Sequence, residues 1–303
     1  MECFSPIYID NPDSNIFDSN GNINFKIPVP CGRCPACLVN GCNQWRVRLQ
    51  IENDSAVSSW FVTLTYSDEH LYLKTCTDSF GNSYVAPIVN LSDVQKFLKR
   101  LRKKFPECSI RYFLVSEYGP LTFRPHYHAI IFNLPFSSNG DSVEHFKCAE
   151  ALKSLWHLGN IRLDPVTFGR ISYVTKYISC ITDLPEGLPK PFRVMSRRPG
   201  IGSGYLEKKN LIDWHRRNLI NYYPRGSFKL PLPRYLKDKI FDDAMKLDIR
   251  EQTLNYIQHE KEADYRNRSI GLGFRHWSDY SESRLEQFIR KFNERMKKNR
   301  NDL

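Results

Sequence analysis

Two apolar, β-prone runs, IRYFLVSE (residues 110–117) and HYHAIIF (126–132), are separated by eight residues that include Gly119 and Pro120. No other feature of the 303-residue chain constrains its fold as much, because this spacing joins two strands as an antiparallel hairpin with a long loop. The flanking segments alternate in kind. WFVTLTY (60–66) is aromatic and β-branched, as strands prefer. In VQKFLKRLRKKF (94–105), Val94, Phe97, Leu98 and Leu101 make one helical stripe that Asn90 or Ser92 can cap. VEHFKCAEALKSLW (143–156) reads as a helix ending near Gly159, NIRLDPV (160–166) as a short strand, and GRISYVTKYISCI (169–181) as a helix of about three turns. The order β, α, β, β, α, β, α predicts an α+β domain over residues 60–185, with a central antiparallel sheet and flanking helices. Residues 1–59 form an N-terminal arm with a cysteine cluster, and residues 186–303 a loop and mainly helical C-terminal region.

Side chains two apart on a strand share a face, so His126 and His128 point one way and Tyr127 the other. Two readings of the triplet stand: hydrogen-bonded strand histidines, or a metal chelate. On the partner strand Phe113, Val115 and Glu117 share a face, and Glu117 lies at the loop end, as His126 does. Antiparallel pairing therefore brings Glu117 towards both histidines, a three-donor site with open positions for water or substrate. A loop-edge carboxylate in solvent, and the two-histidine, one-carboxylate iron centre of oxygenases, remain alternatives.

Tyr173 and Tyr177 are four apart in YVTKY, so their phenols lie on one helical face with Lys176 between them. They are either core aromatics or nucleophiles. A phenol can attack a phosphodiester when a metal polarises the phosphoryl oxygens and a nearby ammonium favours the phenolate or meets the phosphate charge. In WFVTLTY one face carries Phe61, Thr63 and Thr65, either hydroxyls placed near the central strands or a core strand that tolerates threonine.

Lys and Arg total 44 against 33 Asp and Glu, a net charge of +11 that suits a polyanionic partner such as nucleic acid and also serves solubility. Arg46, Arg48, Arg124, Lys190, Arg193, Arg197 and Arg198, interleaved with Trp45, Phe123 and Phe192, suit contacts to a single strand and its bases. SRRPGIGSG (196–204) is either a phosphate-wrapping turn or an ordinary surface turn. No run approaches the ~20 apolar residues of a membrane span, and MECFSPIYIDNPDSN lacks a secretory layout, so a soluble intracellular protein is expected. Of nine cysteines, Cys3, Cys76, Cys108, Cys148 and Cys180 are scattered. Cys31, Cys34, Cys37 and Cys42 cluster in CGRCPACLVNGC with enough sulfur for Zn²⁺. Their spacing is tighter than the usual paired knuckles, which leaves a ligand from elsewhere, free thiols or an iron–sulfur cluster as alternatives. In the tail, Leu285, Phe288, Ile289, Phe292 and Met296 form a helical stripe that packs on this protein's own core. Ser283 and Glu286 suit a capping box, and Arg290, Lys291, Arg295 and Lys297 lie opposite.

The order FVTLTY, HYH, YVTKY resembles the three-motif signature of the HUH endonucleases, the rolling-circle replication initiators, here with two tyrosines. Together with PCGRCPAC (30–37) and MSRRPGIG (195–202), these motifs resemble the replication initiators of gokushovirus-type microviruses, small single-stranded DNA phages. The resemblance covers residues 31–202. It implies an HUH-endonuclease-like sheet in which His126, His128 and Glu117 hold Mg²⁺ or Mn²⁺, although imidazoles by themselves suit a softer ion. It implies that Tyr173 and Tyr177 are the nucleophiles, with Lys176 matching the lysine three residues after the first. One tyrosine leaves a 5′-phosphotyrosine link and a free 3′-OH that primes synthesis; the second cuts the regenerated origin, and the displaced strand closes into a circle. The implied substrates are single-stranded and supercoiled origin DNA, in the bacterial host cytoplasm. A host helicase and polymerase are implied partners, since the sequence has no GxxxxGK[ST] loop. A rolling-circle transposase or plasmid initiator is the nearest alternative, followed by a non-catalytic nucleic-acid-binding protein and a small-molecule oxygenase or hydrolase.

Overall fold

A computed structural model describes residues 3–10, 26–119, 122–177, 184–225, 228–269, 273 and 276–301. Strands β1 (Ile7–Asp10) and β2 (Lys26–Val29) pair antiparallel, with Ile7 opposite Val29. Helix α1 (Pro35–Ser55) starts inside the cysteine motif, with Pro35 in its first turn, where a missing N–H leaves no hydrogen bond unmade. No single apolar stripe marks this helix, and its packing explains why. Leu49 joins a core on one side, while Val47 and Ile51 join a second core elsewhere on the helix surface.

Next come β3 (Ser59–Thr65), a hairpin of β4 (Leu73–Thr77) and β5 (Ser83–Pro87), α2 (Leu91–Lys104), β6 (Arg111–Tyr118) and β7 (Pro125–Phe132). After these lie α3 (Ser142–Leu155), β8 (Ile161–Pro165), α4 (Phe168–Lys176) and β9 (Arg193–Met195). Five strands form one antiparallel sheet in the order β8-β3-β7-β6-β9, and β6 and β7 are the long hairpin that the eight-residue spacing predicts. The β4–β5 hairpin is an addition to the expected order. Its turn is set by the Asp78 carboxylate, which accepts the amides of Phe80 and Asn82 at 2.9 and 2.8 Å.

Strand alternation divides the core. Trp60, Val62, Leu64, Leu114, Tyr127 and Ile131 meet Val94, Phe97, Leu98 and Leu101 of α2 and Leu152 of α3 on one face. Phe61, Phe113, Val115, Ile130 and Phe132 meet Leu49 of α1 and Ile171 and Val174 of α4 on the other. Each of these buried side chains contributes on the order of 2 kcal/mol of transfer free energy, so a register slip that exchanged the faces would cost the whole set. Asn90 caps α2 by accepting the Ser92 amide at 2.9 Å.

Beyond β9 the chain forms α5 (Lys209–Asn218), the hairpin β10 (Tyr222–Arg225) and β11 (Phe228–Pro231), α6 (Arg234–Ile240), α7 (Asp243–Asp264) and α8 (Trp277–Asn301). Tyr205, Leu232, Leu236 and Ile240 pack on Val47 and Ile51 of α1. Helix α8 begins at Trp277, so Ser283 lies inside it and is no cap, correcting the capping box. Phe288 meets the ring of Phe4 in the N-terminal arm at 5.5 Å. The side chains of Arg295, Met296 and Lys297 lie outside the described set, as does Cys180.

The glycine-containing loop after β9 is bound to α1 and β6. Arg111 pairs with Glu52 and donates to the carbonyls of Pro199 and Gly200 at 3.0 and 2.9 Å. Glu52 accepts the Gly202 amide at 2.7 Å, and Arg48 donates to the Ile201 carbonyl at 2.9 Å. Gly202 has φ +79°, and a Cβ there would lie 3.1 Å from the Arg48 carbonyl oxygen, so the tight contact with α1 requires glycine. The Gly202 amide, one candidate for wrapping a phosphate, is thus already bonded within the protein.

Candidate active site

Register places the functional side chains. Glu117 stands directly opposite His126 across β6 and β7, and Val115 opposite His128. On the other side of β7, Thr63 stands opposite His128 and Thr65 opposite His126. All face the layer of α1 and α4. Glu117 and His128 are 5% and 7% exposed, and the Glu117 Oε2 lies 2.9 Å from His128 Nε2. The other imidazole nitrogen, Nδ1, lies 3.1 Å from the Thr63 hydroxyl. The His128 ring is held between Phe61 and Tyr177, each with its centroid 5.7 Å away and nearly parallel, at 17° and 14°.

Helix α4 brings the tyrosines to this imidazole. Thr167 caps it by accepting the Arg170 amide at 3.2 Å, and buried Ile171 and Val174 hold it on the sheet. The Tyr173 hydroxyl lies 3.5 Å from His128 Nε2, and the two tyrosine rings are 5.2 Å apart, edge to face. The Lys176 ammonium stands 4.3 Å from the Tyr173 ring centroid and 5.1 Å from that of Tyr177. Described α-helix ends at Lys176, with Tyr177 as its cap still in helical conformation, and residues 178–181 of the expected three-turn helix lie outside the described residues.

Residues 59–181, which hold all these groups, match the ORF2-type replication-associated protein family. This segment belongs to that family. The replication-associated protein ORF2 of Spiroplasma virus 4 is 28% identical over 271 residues, covering 84% of this chain and 79% of its own. The replication-associated protein VP4 of Bdellovibrio phage phiMH2K is 27% identical over 320 residues, 94% of each chain. ORF4 of Chlamydia phage 1, also a replication-associated protein, is 27% identical over 166 residues, 51% of this chain and 38% of its own. Among solved structures, the N-terminal nuclease domain of minute virus of mice non-structural protein-1 covers 57% of this chain and 82% of its own. It is 12% identical with a TM-score of 0.23, a likeness too slight to bear on the site. The relatives agree with the replication-initiator resemblance of the sequence motifs.

Electrostatics in this replication-associated segment favour neutral imidazole and neutral phenol. Burial holds His126 below the usual imidazole range, against the opposing pull of Glu117. Burial, then the Glu117 charge and the Tyr173 neighbour, push the Tyr177 phenol far above the usual range. Tyr127 lies on the opposite face, as alternation predicts; burial pushes it up to about 12, and its hydroxyl accepts the Asn90 amide at 2.7 Å.

Glu117 and His128 fit a divalent ion. Adjacent donors about 2.1 Å from one octahedral ion lie about 3 Å apart, close to the 2.9 Å seen here. The Glu117 Oε2 is buried and accepts no hydrogen bond of regular geometry, which leaves it open to a cation. His126 is on the same face and paired with Glu117, but its ring does not bring three donor atoms within 4.8 Å of one another.

Among the described residues the group that meets that distance is Cys3, Cys31, Cys34 and Cys37. Cys42 is not in it. It lies further along α1, and its thiol donates to the Thr175 carbonyl at 3.1 Å, joining α1 to α4. Cys3 takes its place because pairing of Ile7 with Val29 returns the residues before β1 to those after β2. That pairing depends on two short strands without strong alternation, so Cys3 reads in the sequence as one of the scattered thiols. Burial opposes a thiolate at Cys34, but the amides of Cys37 and Phe4 and the thiols of Cys37 and Cys31 outweigh it and bring the group down to about 6.

Of the basic residues singled out, Arg124 donates to Asp68 and to the Tyr66 carbonyl, both at 2.6 Å, and so fixes the loop after β3. Arg193 is exposed and stands opposite Val115, on the face of Glu117. Arg197 and Arg198 are exposed in the loop after β9.

Proposed function

We propose that this chain nicks single-stranded DNA at a phage replication origin and transfers the strand, starting and ending rolling-circle replication. The observation that carries the proposal is the convergence on one imidazole: His128 touches Glu117 at 2.9 Å and has the Tyr173 hydroxyl at 3.5 Å. A divalent ion, Mg²⁺ or Mn²⁺, held by Glu117, His128 and His126 supplies Lewis-acid polarisation of the scissile phosphate. Tyr173 is the first nucleophile. Its oxygen attacks phosphorus, the bond to the 3′ oxygen breaks, and that oxygen leaves as a 3′-OH while the 5′ side stays on the tyrosine. Lys176 stands close enough to lower the cost of a phenolate and to meet charge on the phosphate. Tyr177, with its hydroxyl buried against Glu117 and His128, acts in the second cleavage, after the site has been opened by DNA.

Arg193, Arg197 and Arg198 contact backbone phosphates, and the origin is met in supercoiled DNA inside the host cell. Strand separation and synthesis are assigned to a host helicase and polymerase. No described helix is long and apolar enough to cross a membrane.

Supercoiled phage genome and Mn²⁺ test the proposal. The expected product is a nicked circle with protein on its 5′ end, and mass spectrometry of the peptide places the link on Tyr173. An adduct that persists in the Tyr173→Phe/Tyr177→Phe double variant, or nicking by His128→Ala at the wild-type rate, would overturn it.

A further inference from the structure

We propose that Cys3, Cys31, Cys34 and Cys37 bind one Zn²⁺ as a tetrathiolate site that fastens the N-terminal arm to α1, the helix that supports α4. The sulfur geometry is that of a single tetrahedral ion. Zn–S bonds of about 2.3 Å place the sulfurs of a tetrahedron about 3.8 Å apart, and Cys3 Sγ lies 3.8 Å from Cys34 Sγ. All four donors lie within 4.8 Å of one another. An iron–sulfur cluster must fit several metal and sulfide atoms inside its ring of cysteines, so this spacing admits one ion and no cluster.

The local backbone is arranged for thiolate charge. The Cys31 amide donates to Cys3 Sγ and the Cys34 amide to Cys31 Sγ, both at 3.3 Å, the outer bonds that steady anionic sulfur around a metal. Gly32, at φ +75°, makes the turn between Cys31 and Cys34. Cys34 is the N-cap of α1 and Cys37 lies in its first turn, where the helix end favours negative charge. All four thiols are free, with no disulfide among them.

From this end, α1 leads to the catalytic face. Its Cys42 bonds to Thr175 of α4, one residue before Lys176, and its Arg48 and Glu52 hold the loop after β9. On the other side, Phe4 follows Cys3 and meets Phe288 of α8. The ion thus gives the arm, and through Phe4 the C-terminal helix, a fixed attachment to α1. This assignment stands independently of the nicking reaction.

The contrast between Cys3 and Cys42 tests it in the full-length chain. Wild type and Cys42→Ser are expected to carry one zinc each by elemental analysis, and Cys3→Ser to bind zinc at least about tenfold more weakly in competition with a chromophoric chelator. Replacement of zinc by Co²⁺ should give the intense visible bands of tetrahedral cobalt thiolate in wild type, a signal that an ion at His126 and His128 does not produce. Zinc retention by Cys3→Ser, or its loss from Cys42→Ser with the fold intact, would overturn the ligand set. Should Cys3→Ser fail to fold, wild type decides: absence of thiolate bands, or alkylation of the Cys3 and Cys31 peptides equally fast with and without Zn²⁺, overturns the proposal.

Discussion

Replacing Thr63 by valine removes one hydroxyl from the site and little else. Valine keeps the shape of the side chain and its place on β3 between Phe61 and Thr65, so the sheet register stays intact. The substitution abolishes the 3.1 Å hydrogen bond between the Thr63 hydroxyl and His128 Nδ1. With Nε2 turned to Glu117, that bond sets the tautomer and the ring angle of the imidazole. A neutral hydrogen bond of this kind is worth about 1 kcal/mol net, and loss of a partner behind a metal-binding histidine costs about 10- to 100-fold in affinity. A rise of about tenfold in half-saturating Mn²⁺ is therefore expected for Thr63→Val, with the nicking rate at saturating Mn²⁺ within about twofold of wild type. Mn²⁺ titration of the cleavage of an origin single strand gives both quantities, and electron paramagnetic resonance of free Mn²⁺ gives the affinity without catalysis. Thr65→Val is the control, because the Thr65 hydroxyl donates to the Asn160 carbonyl at 3.4 Å instead. An unchanged Mn²⁺ dependence in Thr63→Val, or an equal shift in Thr65→Val, would refute the idea that Thr63 positions His128.

Glu52→Ala should destabilise the protein by about 3–5 kcal/mol in urea titrations, since it strands the largely buried Arg111 guanidinium and frees the Gly202 amide; a loss below about 1 kcal/mol would contradict this account. His215 is fully buried, bonded to the Tyr205 hydroxyl at 2.8 Å and to the Ile220 carbonyl at 2.6 Å, and burial holds it, like His126, below the usual imidazole range. The unfolded chain therefore takes up protons first, so stability is complete above about pH 6.5 and falls as the pH drops towards the folded values; a melting temperature that stays level from about pH 7 to about 5.5 would disprove this. Alanine at exposed Arg193, Arg197 or Arg198 should weaken single-strand binding whatever the sequence and lower the salt dependence by about 0.7 for each phosphate left without its cation; a salt slope unchanged in all three variants would remove them from the DNA path.

The sheet is readable because its evidence is local. Alternation in IRYFLVSE and HYHAIIF and the length of the loop between them determine pairing, and pairing puts Glu117 opposite His126 with Thr63 beside His128. Elements shaped by long-range packing are not readable. Helix α1 divides its apolar residues between two cores and so shows no stripe, and Cys3 reaches the other thiols only through the pairing of β1 with β2. Ser283 has the spacing of a cap, but Trp277 and Tyr280 continue α8 before it, and Tyr280 is buried with its hydroxyl on Asp264 at 2.9 Å. The hairpin of β4 and β5 has a legible turn around Asp78 and Gly81, flanked by runs too short and mixed to stand out as strands.

The two tyrosines differ more in the structure than their spacing suggests, and the difference bears on the order of chemical events. Both lie on one side of α4, yet Tyr173 presents its oxygen to His128 Nε2 while Tyr177 lays its ring flat on the same imidazole. An imidazole stacked between Phe61 and Tyr177 is held in plane by both, so Tyr177 orients His128 for as long as it stays buried. For Tyr177 to attack in its turn, its ring has to leave that stack, and the charge of Glu117 and the burial that push its phenol upward have to be relieved. A first cleavage by Tyr173, followed by release of Tyr177, gives one helix two successive roles without moving the sheet. The sheet keeps the ion-binding face constant, and the end of α4 supplies the moving part.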